Sequence, residues 1–266
     1  MNECRQAIEI KGLTKTYGKN RGVSQISLSV PEGDIFGFLG PNGAGKSTTI
    51  RCMLGMLHFQ NGEIKLLSMN VEKQSREILQ KVGYMPSEAM FYPSMKVKDV
   101  IRFAAQARNR NCEREAARIC ERLEVDREKR ISELSLGNRK KVSIVCAMQH
   151  KPKLLILDEP TSGLDPLMQE AFFQLILESH AEGTTVFLSS HVLSEVKRYC
   201  QNAAIIREGK LIKVDSVENL LKSGVRRVKV WKDGREEVFS YSGEIRNLIK
   251  QLDQQQVDDV LIEVKE

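Results

Sequence analysis

Long apolar runs are missing from this sequence: no uninterrupted stretch approaches the roughly 20 residues that a membrane-spanning helix needs. Work at a membrane would therefore be done from its surface or through another subunit. The opening residues, "MNECRQAIEI", lack the apolar core of a secretory leader. The six cysteines, Cys4, Cys52, Cys112, Cys120, Cys146 and Cys200, lack the spacing of a disulfide framework or a metal site. A stapled secreted domain is thus excluded, and free thiols in a reducing cytoplasm are expected. Aromatic residues are only 6% of the chain, and none interrupts the basic stretch Gln106 to Arg130 to stack a base.

That stretch, "QARNRNCEREAARICERLEVDREKR", concentrates positive charge in a chain of formal net charge +6. Glutamates interleave with the arginines throughout it, the pattern of solvated helices rather than of a nucleic-acid or lipid face. With 266 residues the chain can bury a substantial core, either as one large domain or as a domain with an appendage.

Apolar, β-branched runs at "AIEI", "ISLSV", "DIFGFLG", "KLLILD" and "TTVFLSS" alternate with helical patterns. Alternation of this kind predicts an α/β fold with a mainly parallel sheet, the first two runs forming an antiparallel edge. Between Tyr84 and Gln149 strand signals give way to helices at about 96–108, 112–123 and 137–148, a candidate inserted subdomain. Pro166 after Asp165 starts a helix that ends near Ala181 and Gly183. "IIREGKLIKVD" reads as a hairpin turning at Gly209. The tail then gives strand, turn at Asp233 and Gly234, strand, helix and strand, with Trp231 as a packing residue.

"GPNGAGKST", Gly40 to Thr48, follows an apolar strand and opens a helix. Gly40, Gly43 and Gly45 let the backbone curl around phosphate oxygens; Lys46 supplies a cation and Ser47 a hydroxyl for Mg²⁺. "LLILDEP" delivers Asp158 and Glu159 together at the end of a buried strand, where sites of open α/β sheets gather. Asp158 suits the metal shell, and Glu159 can polarise an attacking water. "SSHVLSEV" puts His191 ahead of a helix, as a phosphate-sensing imidazole or as a capping or surface residue. In "LSLGNRKK", Ser135 suits a helix cap, with apolar positions following.

Together these residues resemble the nucleotide-binding subunit of ATP-binding cassette (ABC) transporters, across roughly Ile8 to Asp215. The resemblance implies a P-loop NTPase core of the ABC ATPase type with an antiparallel β edge, an inserted helical subdomain and a small C-terminal α+β appendix. It makes Gly40, Pro41, Asn42, Gly43, Ala44, Gly45, Lys46, Ser47 and Thr48 the ATP-binding loop, and Tyr17 the residue stacking on adenine. Glu159 and His191 become catalytic, while Ser47 and Asp158 hold Mg²⁺, with Ser87 reaching it through a water. Ser135, Leu136, Gly137 and Asn138 become the signature that grips ATP bound by a partner subunit. Ser162, Gly163, Leu164 and Asp165 form the loop between subunits.

Three features depart from the family pattern or qualify it. Leu136 and Asn138 replace the usual glycine and glutamine of the signature, and Ser87 stands where a metal-touching glutamine is usual. The appendix resembles that of two-component exporters for drugs, antibiotics or peptides. Members of that group commonly continue beyond the strand that ends at "LIEVKE", so truncation is expected.

Residues 1–222 are accordingly expected to form the ATPase domain, with a helical subdomain at about 88–150, and 223–266 the appendix. The implied partners are a second cassette subunit, identical or related, and a transmembrane permease that holds the chain at the cytoplasmic side of the membrane. An ABC ATPase acting on ribosomes or DNA is the competing class. It usually carries a second cassette or a long coiled coil, and no extended heptad tract separates Gly45 from Asp158. A P-loop kinase would leave "LSLGN" and the Glu159–His191 arrangement without a purpose.

Overall fold

The computed structural model describes residues 5–18, 21–222, 226–232, 235–241, 245–254 and 257–264. The chain divides into two compact units, residues 1–214 and 215–266.

The first unit opens with β1 (Gln6–Thr16), β2 (Gly22–Pro31) and β3 (Ile35–Leu39), followed by α1 (Lys46–Met53). Next come β4 (Asn61–Leu66), β5 (Met69–Asn70), α2 (Ser75–Lys81) and β6 (Val82–Met85). Three helices follow without an intervening strand: α3 (Val97–Gln106), α4 (Glu113–Arg122) and α5 (Leu136–Met148). β7 (Leu154–Asp158), α6 (Pro166–Ala181), β8 (Thr185–Ser190), α7 (Leu193–Tyr199), β9 (Asn202–Arg207) and β10 (Lys210–Ser216) complete it.

The central sheet has the order β10-β9-β3-β8-β7-β6. β3 pairs parallel with β8 and β9, and β7 parallel with β8 and β6. Parallel strands covered on both faces need apolar side chains in succession, and every residue of β7 and β8 is buried. One consequence positions the site: the C-terminal ends of β3, β7 and β8 open on the same edge. β10 follows β9 through a turn at Gly209, whose φ of 75° suits glycine.

The antiparallel strands do not edge this sheet. β2, β1, β4 and β5 form a sheet of their own. Both its long strands bury alternate residues, such as Ile8 and Ile10 in β1, so it needs a second layer to cover that face. α1 supplies part of the cover, packing against β2 and β4 and against β7. Ile50 and Met53 of α1, Phe36 and Phe38 of β3, and Ile26 and Leu28 of β2 thus share one core. Burying each such side chain contributes about 1.5–3 kcal/mol.

The helices α3 to α5 lie within two residues of the positions that apolar spacing predicts. In α3, Val97, Val100, Ile101 and Ala105 are buried at helical intervals. Several arginines of the basic stretch are engaged with carboxylates: Arg118 with Glu115 and Glu178, each at 2.7 Å, Arg122 with Glu178 at 3.5 Å, and Arg127 with Glu113 at 2.6 Å. Cys52, Cys112, Cys120, Cys146 and Cys200 are free thiols; Cys4 lies outside the described residues. No helix among the described residues is long and apolar enough to cross a membrane.

The second unit contains α8 (Val217–Lys222), β11 (Arg226–Lys232), β12 (Arg235–Tyr241), α9 (Ile245–Gln254) and β13 (Asp259–Val264). Its antiparallel sheet, β12-β11-β13, and α9 enclose Val228, Val230, Leu248 and Leu252. Trp231 is half-buried and, since neighbouring strand residues alternate faces, lies on the face opposite Val228 and Val230. The turn expected at Asp233 and Gly234 lies outside the described residues.

Candidate active site

The glycines of the loop between β3 and α1 serve two needs. Gly43 and Gly45 have φ values of 79° and 109°, a left-handed backbone that glycine adopts without strain. Gly40 is needed for space, since a Cβ there would come within 2.4 Å of the Ile206 carbonyl oxygen. α1 begins directly after Gly45, with no side-chain cap and no acidic residue in its first turn. Its first amides are left for an anion. Lys46 Nζ folds back to the carbonyl oxygens of Gly40 (2.6 Å) and Pro41 (3.1 Å).

Two carboxylates arrive from the end of β7. Asp158 is fully buried; its Oδ1 accepts a 2.7 Å hydrogen bond from Ser189 Oγ on β8, whereas Oδ2 has no hydrogen-bond partner. Glu159 has φ 50°, a strained backbone for a residue with a side chain. Its amide donates to Ser189, both to the carbonyl oxygen (3.2 Å) and to Oγ (3.1 Å). Its Oε1 lies 2.9 Å from Lys46 Nζ, an ion pair whose angle is not that of a hydrogen bond. Its Oε2 lies 2.7 Å from His191 Nδ1, just beyond β8. An ionised carboxylate can only accept, so in this arrangement Nδ1 carries the proton.

Asn42, Gly43, Gly45, Lys46, Ser47, Thr48, Ser87 and Glu159 line a cavity of about 250 Å³. Ser87, which follows β6, is therefore at the phosphate loop. A larger groove of about 800 Å³, among Arg110, Arg114, Arg118, His150 and Lys151, shares none of these residues. Tyr17 does not line the phosphate cavity. It is exposed, with Lys15 Nζ 5.0 Å from its ring centroid. The strands bearing it are tied to the loop through Gly209, which accepts from the Ser24 amide (2.8 Å) and donates to the Ala44 carbonyl (2.9 Å).

The stretch 135–138 lies outside that cavity. Ser135 Oγ caps α5, accepting from the Asn138 amide at 3.3 Å, and Leu136 is exposed. A Cβ on Gly137 would come within 2.9 Å of the Gly163 carbonyl oxygen, so the start of α5 abuts the loop 162–165. In that loop Leu164 is buried, and Asp165 caps α6 by accepting from the Met168 amide at 3.0 Å.

Two residues escaped the sequence reading. Ser189, the penultimate residue of an apolar strand, orients both Asp158 and Glu159. Lys140 is only 2% exposed, and its Nζ donates to the carbonyl oxygens of Glu159 (2.5 Å) and Ser162 (2.7 Å). Burial pushes its ammonium down to about 8, against the opposing pull of Glu159, Asp158 and Glu195. Nothing in "NRKK" distinguishes such a lysine from a solvated one.

A strand, a glycine loop leading into a helix, a lysine over the loop and a buried aspartate two strands away define a P-loop nucleotide-binding ATPase. Comparison with known proteins narrows the class. Residues 23–162 match the family model described as ABC transporter. The chain is 35% identical over 232 residues to the Bacillus subtilis protein named uncharacterized ABC transporter ATP-binding protein YhaQ, covering 85% of this chain and 77% of that one. It is 36% identical over 219 residues to the bacitracin transport ATP-binding protein BcrA of Bacillus licheniformis, covering 81% and 71%. The solved structure of an ATP binding subunit of an ABC transporter superposes with a TM-score of 0.76 at 27% identity, covering 80% of this chain and 91% of that one. The chain belongs to the ABC transporter family, as one of its ATP-hydrolysing subunits.

Proposed function

We propose that the chain is the motor of an exporter, one of two cassette subunits, identical or related, that close around ATP and drive a separate permease. The observation that carries this reading is the separation of two half-sites. Lys46, Glu159 and His191 converge at the phosphate cavity, whereas Ser135 to Asn138 stand outside it, beside the loop 162–165. A capped helix start with an exposed face is a half-built anion site, completed when a partner brings its nucleotide. BcrA's name, bacitracin transport, and the appendix support an exporter of a drug, antibiotic or peptide.

The loop 40–48 wraps the phosphates, and Lys46 leaves its carbonyl partners for the terminal phosphate. Tyr17 stacks on adenine in place of the Lys15 ammonium. Glu159 accepts the proton of a water as its oxygen attacks the terminal phosphorus, and the bond to ADP breaks. His191 holds Glu159 through Nδ1. The partner's copy of Ser135 and Gly137 grips that phosphate, while Ser162 to Asp165 lie along the seam. Ser47 and Asp158 would hold Mg²⁺, with Ser87 reaching it through a water: the buried, unpartnered Asp158 Oδ2 and a hydroxyl on the cavity wall suit a hard cation. Mg²⁺, when bound, offsets the phosphate charge. The permease, which holds the subunit at the cytoplasmic membrane surface, docks beside Ser87, where Met90 and Tyr92 are 86% and 74% exposed.

Glu159→Gln tests this. It keeps the side-chain shape and removes the base, so hydrolysis falls roughly 10²-fold or more. ATP binding persists, and the variant accumulates as an ATP-bound dimer in size-exclusion chromatography. Hydrolysis at the parent rate would show that Glu159 is not the base.

A further inference from the structure

Lys140 occupies an unusual position for a lysine. It sits in the second turn of α5, five residues beyond Ser135, almost without exposure, and both groups its ammonium bonds are main-chain carbonyls. Those carbonyls, of Glu159 and Ser162, bracket the turn at Pro160 and Thr161. One side chain thus joins three parts of the site: the helix that begins with the signature, the residue that faces the phosphate, and the loop between subunits.

The backbone of Glu159 needs such a partner. Its left-handed conformation is strained for a residue with a side chain and persists only when neighbours fix it. Ser189 fixes the peptide on its N-terminal side; Lys140 fixes the carbonyl on its C-terminal side. Charge-assisted bonds to carbonyls are among the stronger ones, and a buried carbonyl left unpaired is costly. Ser135 and Lys140 lie within the first two turns of one helix, so displacement of one end of this rigid segment is displacement of the other.

We propose that Lys140 is a positioning residue that holds Glu159 in its working conformation and links the signature of a subunit to the Glu159 of that same subunit. Engagement of Ser135 with a partner's nucleotide at one site is thereby transmitted, through α5, to the hydrolytic residue of the other. The inference rests on the assignment of Glu159 as the residue that activates water.

Lys140→Met and Lys140→Arg are compared with Glu159→Gln in the full chain. Methionine keeps the length and loses the donors; arginine keeps a cationic donor. Expected for K140M are an unchanged ATP dissociation constant for the monomer, within twofold, and an ATP-dependent dimer like that of E159Q. Its kcat falls at least tenfold, since misplacing a reacting group by about 1 Å costs up to 10²-fold. K140R recovers part of kcat. Parental kcat in K140M, beside an inactive E159Q, would overturn this inference and leave the site assignment standing; parental hydrolysis by E159Q would overturn both. Loss of dimerisation together with hydrolysis in K140M would also overturn it, because Lys140 would then shape the signature rather than Glu159. Should K140M fail to fold, K140R and Lys140→Gln make the same comparison, and equal kcat in those two would overturn the proposal.

Discussion

Ser135 has two demands on one hydroxyl. In the free subunit it caps α5, and in the closed pair it is proposed to face the partner's phosphate. The two roles separate under substitution by arginine. Loss of a cap alone costs about 1 kcal/mol of stability and leaves hydrolysis intact. If the composite site is correct, Ser135→Arg leaves monomer ATP affinity unchanged while abolishing ATP-dependent dimerisation and hydrolysis, measured by light scattering and phosphate release. Parental dimerisation and turnover in S135R would leave the cap as its whole purpose. Lys140 marks the limit of what the sequence discloses at this scale. The loop 40–48 is legible because glycine, lysine and serine each have a physical reason to be at their positions. A lysine beside an arginine and another lysine carries no sign that its ammonium is turned inward, since only the meeting of α5 with the end of β7 makes it so.

Among elements, legibility follows how far each one's environment is written in its own residues. β7 and β8 are buried on both faces and read as apolar runs; Asp165, Pro166 and Gly183 mark α6 closely. β4, "NGEIKL", and β6, "VGYM", escaped the reading. Each is short and contains glycine, and its status as a strand comes from its neighbours, β1 and β7. The separate antiparallel sheet was equally hidden, because strand patterns state that a face is covered without stating by what. The end of α5 carries a further prediction. His150 follows it, 4% exposed, with Nε2 3.3 Å from the Val82 carbonyl of β6. Burial, aided by Arg108, pushes its imidazole down to about 4 from the ordinary 6.5. Between those values the unfolded chain holds the proton and the folded one does not, so this group's contribution, present above pH 6.5, is lost as pH falls toward 4. Denaturant midpoints at pH 7 and pH 5 should therefore drop more for the parent than for His150→Gln. Equal drops would show that His150 does not govern the acid limb.

At the scale of the molecule, each compact unit has its own core, and among the described residues the smaller one rests on the cluster around Val228 and Leu248. Leu248→Ala removes a fully buried member of the Val228, Val230, Leu248 and Leu252 cluster and should cost about 2–5 kcal/mol within residues 215–266. Calorimetry should show the loss in one transition, with ATP affinity held within twofold; a matching fall in ATP affinity would mean that the units are energetically one. The order of the central sheet also sets a timetable. β3, the strand that carries the glycine loop, pairs on one side with β8 and on the other with β9, and both lie roughly 150 residues or more further along the chain. At about 5–20 residues per second of synthesis, the ribosome spends some 8–30 s making the intervening chain. Through that interval β3 lacks both neighbours, and nucleotide can be held only after nearly the whole of the larger unit has emerged.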